Sequence, residues 1–327
     1  MGEVFKSIDW NHLEDSVDLA TWDKANKQFW LPERVPISKD LSDWNNKLNE
    51  KERVLYDKVL AGLTMLDTLQ SEQGGIQVGF ASRTQHEKAV MNQITFMESV
   101  HSRSYSSIFS TLRTAKRISE IFKWTEENEY IQYKAKVIED IYQNGTDAQK
   151  RVASVFLESF LFYSGFFTPL YYVGMGKMSN VAEVIKLILK DEALHGQFIG
   201  YKHRLMLDEM SDEEREEHED WAYELLDTLY KNEVKYTQEL YDELGYTEDV
   251  KQFLKYNADR ALMNLGLDTI FEVSREDVNP LVMNGLSTET SNHDFFSQVG
   301  NGYEMGIVEA MKEEDYDIVK EMLNKKK

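Results

Sequence analysis

Two short stretches of the chain pair a glutamate with a histidine three residues later. The first pair is Glu98 and His101 in MESVHSRSY, and the second is Glu192 and His195 in KDEALHG. Side chains three residues apart lie on one face of an α-helix, so each pair presents a carboxylate beside an imidazole. Oxygen donors with one imidazole per ion suit iron or manganese better than zinc or copper.

Both pairs continue helical stripes whose other members are mostly apolar. The first stripe is Ile94, Glu98, His101, Tyr105, Ile108 and Leu112, and the second is Ile185, Ile188, Glu192, His195 and Ile199. These spacings predict that the polar groups face the protein interior. Burying an ionised carboxylate without a partner is very costly, and a pair of cations would neutralise several carboxylates at once.

Two further carboxylates stand alone in apolar runs, Asp67 in LAGLTMLDTL and Glu158 in VFLESFLF. In helical bundles that hold a dinuclear iron or manganese centre, two helices supply one carboxylate each and two supply a Glu-x-x-His pair. A single pair is a weak signal, and either lone carboxylate can instead neutralise a buried arginine or lysine. The conjunction of all four features favours a dinuclear metal site.

Tyr105 lies one helical turn beyond His101, close enough for an oxidised metal centre to take its electron and proton. By spacing alone it is equally an ordinary core tyrosine.

The pattern of prolines and apolar residues predicts an all-α chain. Only four prolines occur, and none lies between Pro36 and Pro169. Apolar residues recur at helical spacing over 50–80, 85–113, 147–175, 180–208, 213–244 and 248–267. Long helices of this kind suit a bundle core with connecting helices. We expect one helical domain over residues 1–290 and a flexible tail over 291–327.

Composition excludes several classes of protein. A net charge of -21 disfavours binding to nucleic acid. Since the chain has no cysteine, it has neither disulfides nor thiolate metal sites. The N-terminus does not resemble a signal peptide, which predicts a cytoplasmic protein. We interpret the apolar segment Val152–Gly176, which contains Glu158, as a buried core helix and not a membrane span. In the charged segment 208–220, we expect His218 to be exposed.

These residues resemble the small, radical-generating subunit of class I ribonucleotide reductase, most closely its class Ib form. The likeness covers almost the whole chain, through QFWLPE, VLAGLTMLDT, ESVHSRSY, ASVFLESFLFYSGFF, DEALHG, YNADRALMNLGL, NPLVMNGL and HDFFSQVGNGY. It implies a ferritin-like bundle with additional helices and the metal site in its four-helix core. It also implies that Tyr105 stores the radical. The implied ligands are Asp67, Glu98 and His101 for the first metal and Glu158, Glu192 and His195 for the second, with Glu98 and Glu192 bridging.

The resemblance further implies how the radical is used. A large subunit would bind the ribonucleotide, and Trp30, Asp191 and Tyr303 would carry the oxidising equivalent towards it. Asp191 also suits the role of acceptor for the free N–H of His101. The alternatives for these three residues are a packed tryptophan, a surface aspartate and an ordinary tail tyrosine.

The class Ib likeness implies a dimanganese centre activated with a flavodoxin-like partner, with assembly of a di-iron centre also possible, and a homodimer. One departure concerns the C-terminal tail, which docks on the large subunit in that family. The family often ends in acidic and aromatic residues, whereas this chain ends MLNKKK.

Two other functions on the same bundle are an oxidase or hydroxylase and a ferritin-like storage protein. Storage proteins are usually much shorter, and the oxidases are not expected to combine Asp67, Tyr105 and this tail.

Overall fold

Thirteen α-helices make up the part of the chain that the computed structural model describes, residues 5–287, and this part contains no strand. The helices are α1 (Ser16–Lys27), α2 (Leu41–Asn46), α3 (Glu50–Leu69), α4 (Gly75–Phe80), α5 (Gln85–Leu112), α6 (Ala115–Glu127), α7 (Glu129–Asn144), α8 (Asp147–Phe156), α9 (Tyr163–Gly174), α10 (Ser179–Leu207), α11 (Asp212–Tyr241), α12 (Thr247–Leu265) and α13 (Pro280–Ser287). The prediction of an all-α fold is confirmed. Tyr303 and the tail over 291–327 lie outside the described residues.

Local capping explains why three of the long helices, α3, α5 and α11, begin where they do. At the start of α3, the Asn49 side chain accepts a hydrogen bond from the backbone N–H of Glu52, and the Glu52 carboxylate accepts one from the backbone N–H of Asn49. Thr84 caps α5 in a similar way, and Ser211 caps α11. The six predicted helical segments match the observed helices to within a few residues, whereas α1, α2, α6, α7 and α13 lie outside the predicted segments.

Two of the long helices are interrupted by a π-helical turn. Residues Gln70–Gly74 join α3 to α4, and residues Leu157–Leu161 join α8 to α9. A π-turn takes in one more residue than an α-turn, so it shifts which side chains face the core, and such turns are frequent at functional sites. Glu158 lies within the second of these turns.

The four helical units that carry the predicted ligands pack against one another: α3, α5, α8 with α9, and α10. Among the described residues, Asp147–Gly174 is the one helix long and apolar enough to span a membrane, and its most apolar window is entirely buried in the fold. It is a core helix, as predicted.

The expectation that His218 is exposed was wrong. Its side chain is buried, stacks on Trp221, and places Nε2 2.8 Å from Nε2 of His203 on α10. The connection between α10 and α11 is short, so the first turns of α11 fold back over the end of α10. The charged composition of this segment gave no indication that the His218 side of α11 packs against α10.

A buried ion pair joins α7 to α11. Lys134 donates to both oxygens of Glu233, and the hydroxyl of Ser164 on α9 lies 3.3 Å from Glu233 Oε2. The Lys134 ammonium also lies 4.1 Å from the centre of the Tyr236 ring. Both charged side chains are almost completely buried, so each depends on the other for neutralisation.

We predict that Lys134→Met destabilises the metal-free protein by about 3 to 5 kcal/mol, because it leaves the Glu233 carboxylate buried without its partner. Lys231→Met is the matched control, since it breaks the exposed pair with Asp227 on α11 and should change stability by less than about 1 kcal/mol. Urea unfolding followed by circular dichroism measures both. Equal midpoints for the two variants would contradict the prediction.

Candidate metal centre

The six predicted ligand residues lie together at the centre of the bundle, and all are buried. α3 carries Asp67, α5 carries Glu98 and His101, the π-turn after α8 carries Glu158, and α10 carries Glu192 and His195. Four separate helical units therefore supply the set, in the chain order expected from the sequence.

Three carboxylates surround Nδ1 of His101. The nearest atoms are Glu192 Oε1 at 2.9 Å, Glu98 Oε2 at 3.2 Å and Asp67 Oδ1 at 3.4 Å. An octahedral ion with bonds of about 2.1 Å has neighbouring donors about 3 Å apart, so these spacings suit a single small cation.

A second group surrounds Nδ1 of His195. It lies 2.9 Å from Glu98 Oε1, 3.6 Å from Glu158 Oε2 and 3.8 Å from Glu192 Oε2. Glu98 and Glu192 therefore turn one oxygen towards each histidine, whereas Asp67 and Glu158 each belong to one side. The two overlapping groups can each hold a metal ion, and the shared carboxylates are placed to bridge them.

The donor set fits two divalent cations better than it fits an ordinary core. Four carboxylates face two imidazoles, and no lysine or arginine pairs with any of the four within the described part of the chain. Seven of the buried donor atoms have no hydrogen-bond partner there: both oxygens of Asp67 and of Glu192, Glu98 Oε1, Glu158 Oε2 and His195 Nδ1. Groups buried in this way are strongly unfavourable unless cations neutralise them.

Burial and crowding of like charges change the proton affinities of the four carboxylates. Burial raises the pKa of Asp67 to about 7, and burial together with the Glu98 charge raises the pKa of Glu158 to about 8. The same two causes raise the pKa of Glu192 well above its ordinary value. Although burial opposes it, the His195 and His101 charges lower the pKa of Glu98 to about 2. Without metal, the site therefore holds protons at neutral pH.

Tyr105 lies beside the first group. Its side chain is completely buried, and its hydroxyl has no hydrogen-bond partner among the described residues. Burial raises the pKa of Tyr105 well above 10, and the largest contribution from a neighbouring charge comes from Asp67. The phenol is therefore kept neutral next to the carboxylates.

Asp191 connects the metal site to Trp30. Asp191 Oδ2 accepts a hydrogen bond from Trp30 Nε1 at 2.7 Å and lies 3.1 Å from His101 Nε2. If Nδ1 of His101 faces an ion, Nε2 carries the proton and donates to Asp191, which fixes the ring. Trp30 and Asp191 are 3% and 2% exposed, so neither is a surface residue.

Sequence reasoning missed the polar residues that support these ligands. Gln28 donates to Asp191 Oδ1 at 2.8 Å, and Gln70, Ser154 and Tyr142 form a hydrogen-bonded group around Glu158. Gln70 follows Asp67 by three residues and so lies on the same helical face, a signal that could have found it. Tyr142 lies on α7 and gave no signal, because only the tertiary structure brings it near.

The chain matches known proteins over nearly its whole length. The family model described as "Ribonucleotide reductase, small chain" matches residues 7–280. The chain is 48% identical to the ribonucleoside-diphosphate reductase subunit beta of Mycobacterium leprae over 312 residues, 95% of this chain and 96% of that protein. It is 46% identical to the ribonucleoside-diphosphate reductase 2 subunit beta of Escherichia coli over 312 residues, 95% of this chain and 98% of that protein. The crystal structure of Streptococcus sanguinis dimanganese(II)-NrdF is 57% identical and superposes with a TM-score of 0.86, covering 87% of this chain and 100% of that chain.

We predict that metal binding tightens as the pH rises from about 6 to about 8.5, because ions must displace the protons held by Asp67 and Glu158, whose pKa values are raised to about 7 and about 8. Calorimetric titration with manganous ion in two buffers of different ionisation enthalpy measures affinity and proton release together. An affinity that does not change with pH, with no protons released, would show that these carboxyls are not ligands.

Proposed function

This chain belongs to the family of ribonucleotide reductase small chains, and we propose that it is the subunit of a ribonucleoside-diphosphate reductase that generates and stores a tyrosyl radical. The large subunit then uses the radical to start reduction of ribonucleotides to deoxyribonucleotides for DNA synthesis. One observation carries the proposal: the two overlapping donor groups lie beside the buried side chain of Tyr105.

The six ligand residues would hold two manganese or two iron ions. Asp67 and His101 would complete one coordination group and Glu158 and His195 the other, with Glu98 and Glu192 bridging. When bound, the dinuclear centre, oxo- or hydroxo-bridged in its oxidised state, supplies the oxidising equivalent that converts Tyr105 to a radical. The donor types suit both metals, and the similar Streptococcus sanguinis structure was determined with manganese.

The surroundings of Tyr105 suit a stored radical. Because the phenol is buried away from solvent, small reductants have no direct access to it. A phenol is protonated at neutral pH, and burial raises the pKa of Tyr105 further, so oxidation removes a proton together with the electron. Asp67 is the neighbouring carboxylate whose charge acts most strongly on the hydroxyl, and we assign it as the acceptor of that proton.

The bonded series His101, Asp191 and Trp30 gives the oxidising equivalent a route away from the centre. A single oxygen of Asp191 contacts both neighbours, and the Trp30 and His101 rings are stacked with centres 6.1 Å apart. The next residue, Leu31, is partly exposed, so the series ends close to the protein surface. Tyr303 would continue the route from the tail.

The proposal also covers the organisation of the chain and its partners. Residues 1–290 would form the helical domain that carries the centre, and the tail over 291–327 would dock on the large subunit. That subunit would supply the reducing thiols, since this chain has no cysteine. A flavodoxin-like partner would provide the oxidant if manganese is used. The protein would act as a homodimer in the cytoplasm.

Loading the protein with ferrous iron without oxygen, and then admitting oxygen, should give a tyrosyl signal in electron paramagnetic resonance. Tyr105→Phe should abolish this signal, because it removes the hydroxyl that is oxidised. Tyr56→Phe is the matched control, since Tyr56 is also buried with an unpartnered hydroxyl and should leave the signal unchanged. An undiminished signal in Tyr105→Phe would place the radical elsewhere.

Tyr303→Phe should keep the radical but lose at least about 100-fold in nucleotide reduction with the large subunit, because the barrier to transfer rises by more than about 2.7 kcal/mol. Tyr316→Phe, in the same tail, is the control and should retain activity. Full activity of Tyr303→Phe with loss in Tyr316→Phe would assign the route to Tyr316 instead.

A further inference from the structure

Glu158 differs from Asp67 in how the protein holds it. The two oxygens of Asp67 have no hydrogen-bond partner among the described residues, whereas Glu158 Oε1 has two donors. Ser154 donates to it at 3.1 Å, and Gln70 donates through Nε2. Glu158 Oε2 is left without a hydrogen bond and lies on the His195 side.

Tyr142 determines which way the Gln70 amide points. The Tyr142 hydroxyl lies 2.6 Å from Gln70 Oε1, and Gln70 Nε2 donates both to Ser154 Oγ at 2.8 Å and to Glu158. If the amide were turned over, its oxygen would face the carboxylate oxygen and repel it. A tyrosine that donates to Oε1 therefore keeps the amide nitrogen directed at Glu158.

Gly74 provides the space that this arrangement needs. A Cβ atom at position 74 would lie 1.9 Å from Gln70 Oε1 and 2.8 Å from Cε2 of the Tyr142 ring. Both distances are too short for any side chain, and Gln70 and Tyr142 are themselves completely buried. The π-turn Gln70–Gly74 thus carries the amide at one end and the required glycine at the other.

We propose that Gln70 is a positioning residue, oriented by Tyr142 and accommodated by Gly74. It holds Glu158 Oε1 by a hydrogen bond and so leaves Oε2 free for the metal on the His195 side. This inference rests on the proposed dinuclear centre. It assigns the two metal positions different hydrogen-bonded support. Gln70 and Ser154 hold the carboxylate of Glu158 on one side, whereas on the other side Asp191 holds His101 and no described residue donates to Asp67. Residues that hydrogen-bond metal ligands typically change metal affinity by about 10- to 100-fold when they are replaced.

The test is anaerobic titration of the full-length chain with manganous ion, with free ion counted by electron paramagnetic resonance. Gln70→Met keeps the length of the side chain but removes its amide, and Gly74→Ala keeps all donors but removes their space. We expect each to weaken one of the two binding steps by about 10- to 100-fold and to leave the other unchanged. Gly79→Ala is the matched control, since its new Cβ would meet only Met91 Cβ at 3.6 Å.

Two additional measurements separate positioning from a general structural effect. In a Glu158→Ala background, Gln70→Met should weaken metal binding no further, because its target is gone. Circular dichroism of the metal-free variants checks that each folds. If Gly74→Ala does not fold, Tyr142→Phe takes its place. It removes one hydroxyl and should weaken the same binding step as Gln70→Met.

The outcomes are distinct. Unchanged affinities in Gln70→Met, or equal weakening of both steps with and without Glu158, would overturn the positioning role. A wild-type chain that does not bind two ions would instead overturn the proposed function.

Discussion

The structure depends on one electrostatic constraint: four carboxylates and two imidazoles are enclosed in an apolar helical bundle without a lysine or arginine to neutralise them in the described residues. Protons can relieve only part of this repulsion, as the opposite pKa shifts of Glu98 and Glu158 show. Two divalent cations would balance it, because their four positive charges equal the four negative charges of the carboxylates. Glu98 and Glu192 each direct one oxygen to either side, where such ions would lie. The site is therefore unfavourable for an ordinary core and well suited to a dinuclear centre.

The same constraint explains why the surrounding structure is polar in a few places only. Asp191 holds His101 from behind and connects it to Trp30, while Gln70 and Ser154 hold Glu158. Each of these contacts fixes a predicted ligand or connects it towards the surface. Tyr105 is completely buried, which keeps bulk solvent away from its hydroxyl, as the proposed radical would require.

Much of the site could be predicted from the sequence, because its signal is local. Glu98 with His101 and Glu192 with His195 repeat at helical spacing, and Asp67 and Glu158 stand out as charges in apolar runs. The extents of the six long helical segments followed from the same periodicity. The roles of the six ligands and of Tyr105 stay predictions until metal and radical are measured.

What the sequence did not reveal is non-local or depends on small changes of helical register. The approach of Tyr142 to Gln70 joins residues 72 positions apart, and no spacing rule indicates it. The π-turns depend on local packing, and the cover over His218 depends on how α11 folds back on α10. The pairing of Lys134 with Glu233 likewise required the arrangement of α7 and α11.

The most direct test of the central claim is metal analysis combined with electron paramagnetic resonance on the protein purified from its own host. The proposed function predicts two manganese or two iron ions per chain, together with the signal of a tyrosyl radical interacting with them. A chain that carries fewer than two ions, or two ions of a metal without redox chemistry and no radical, would contradict it.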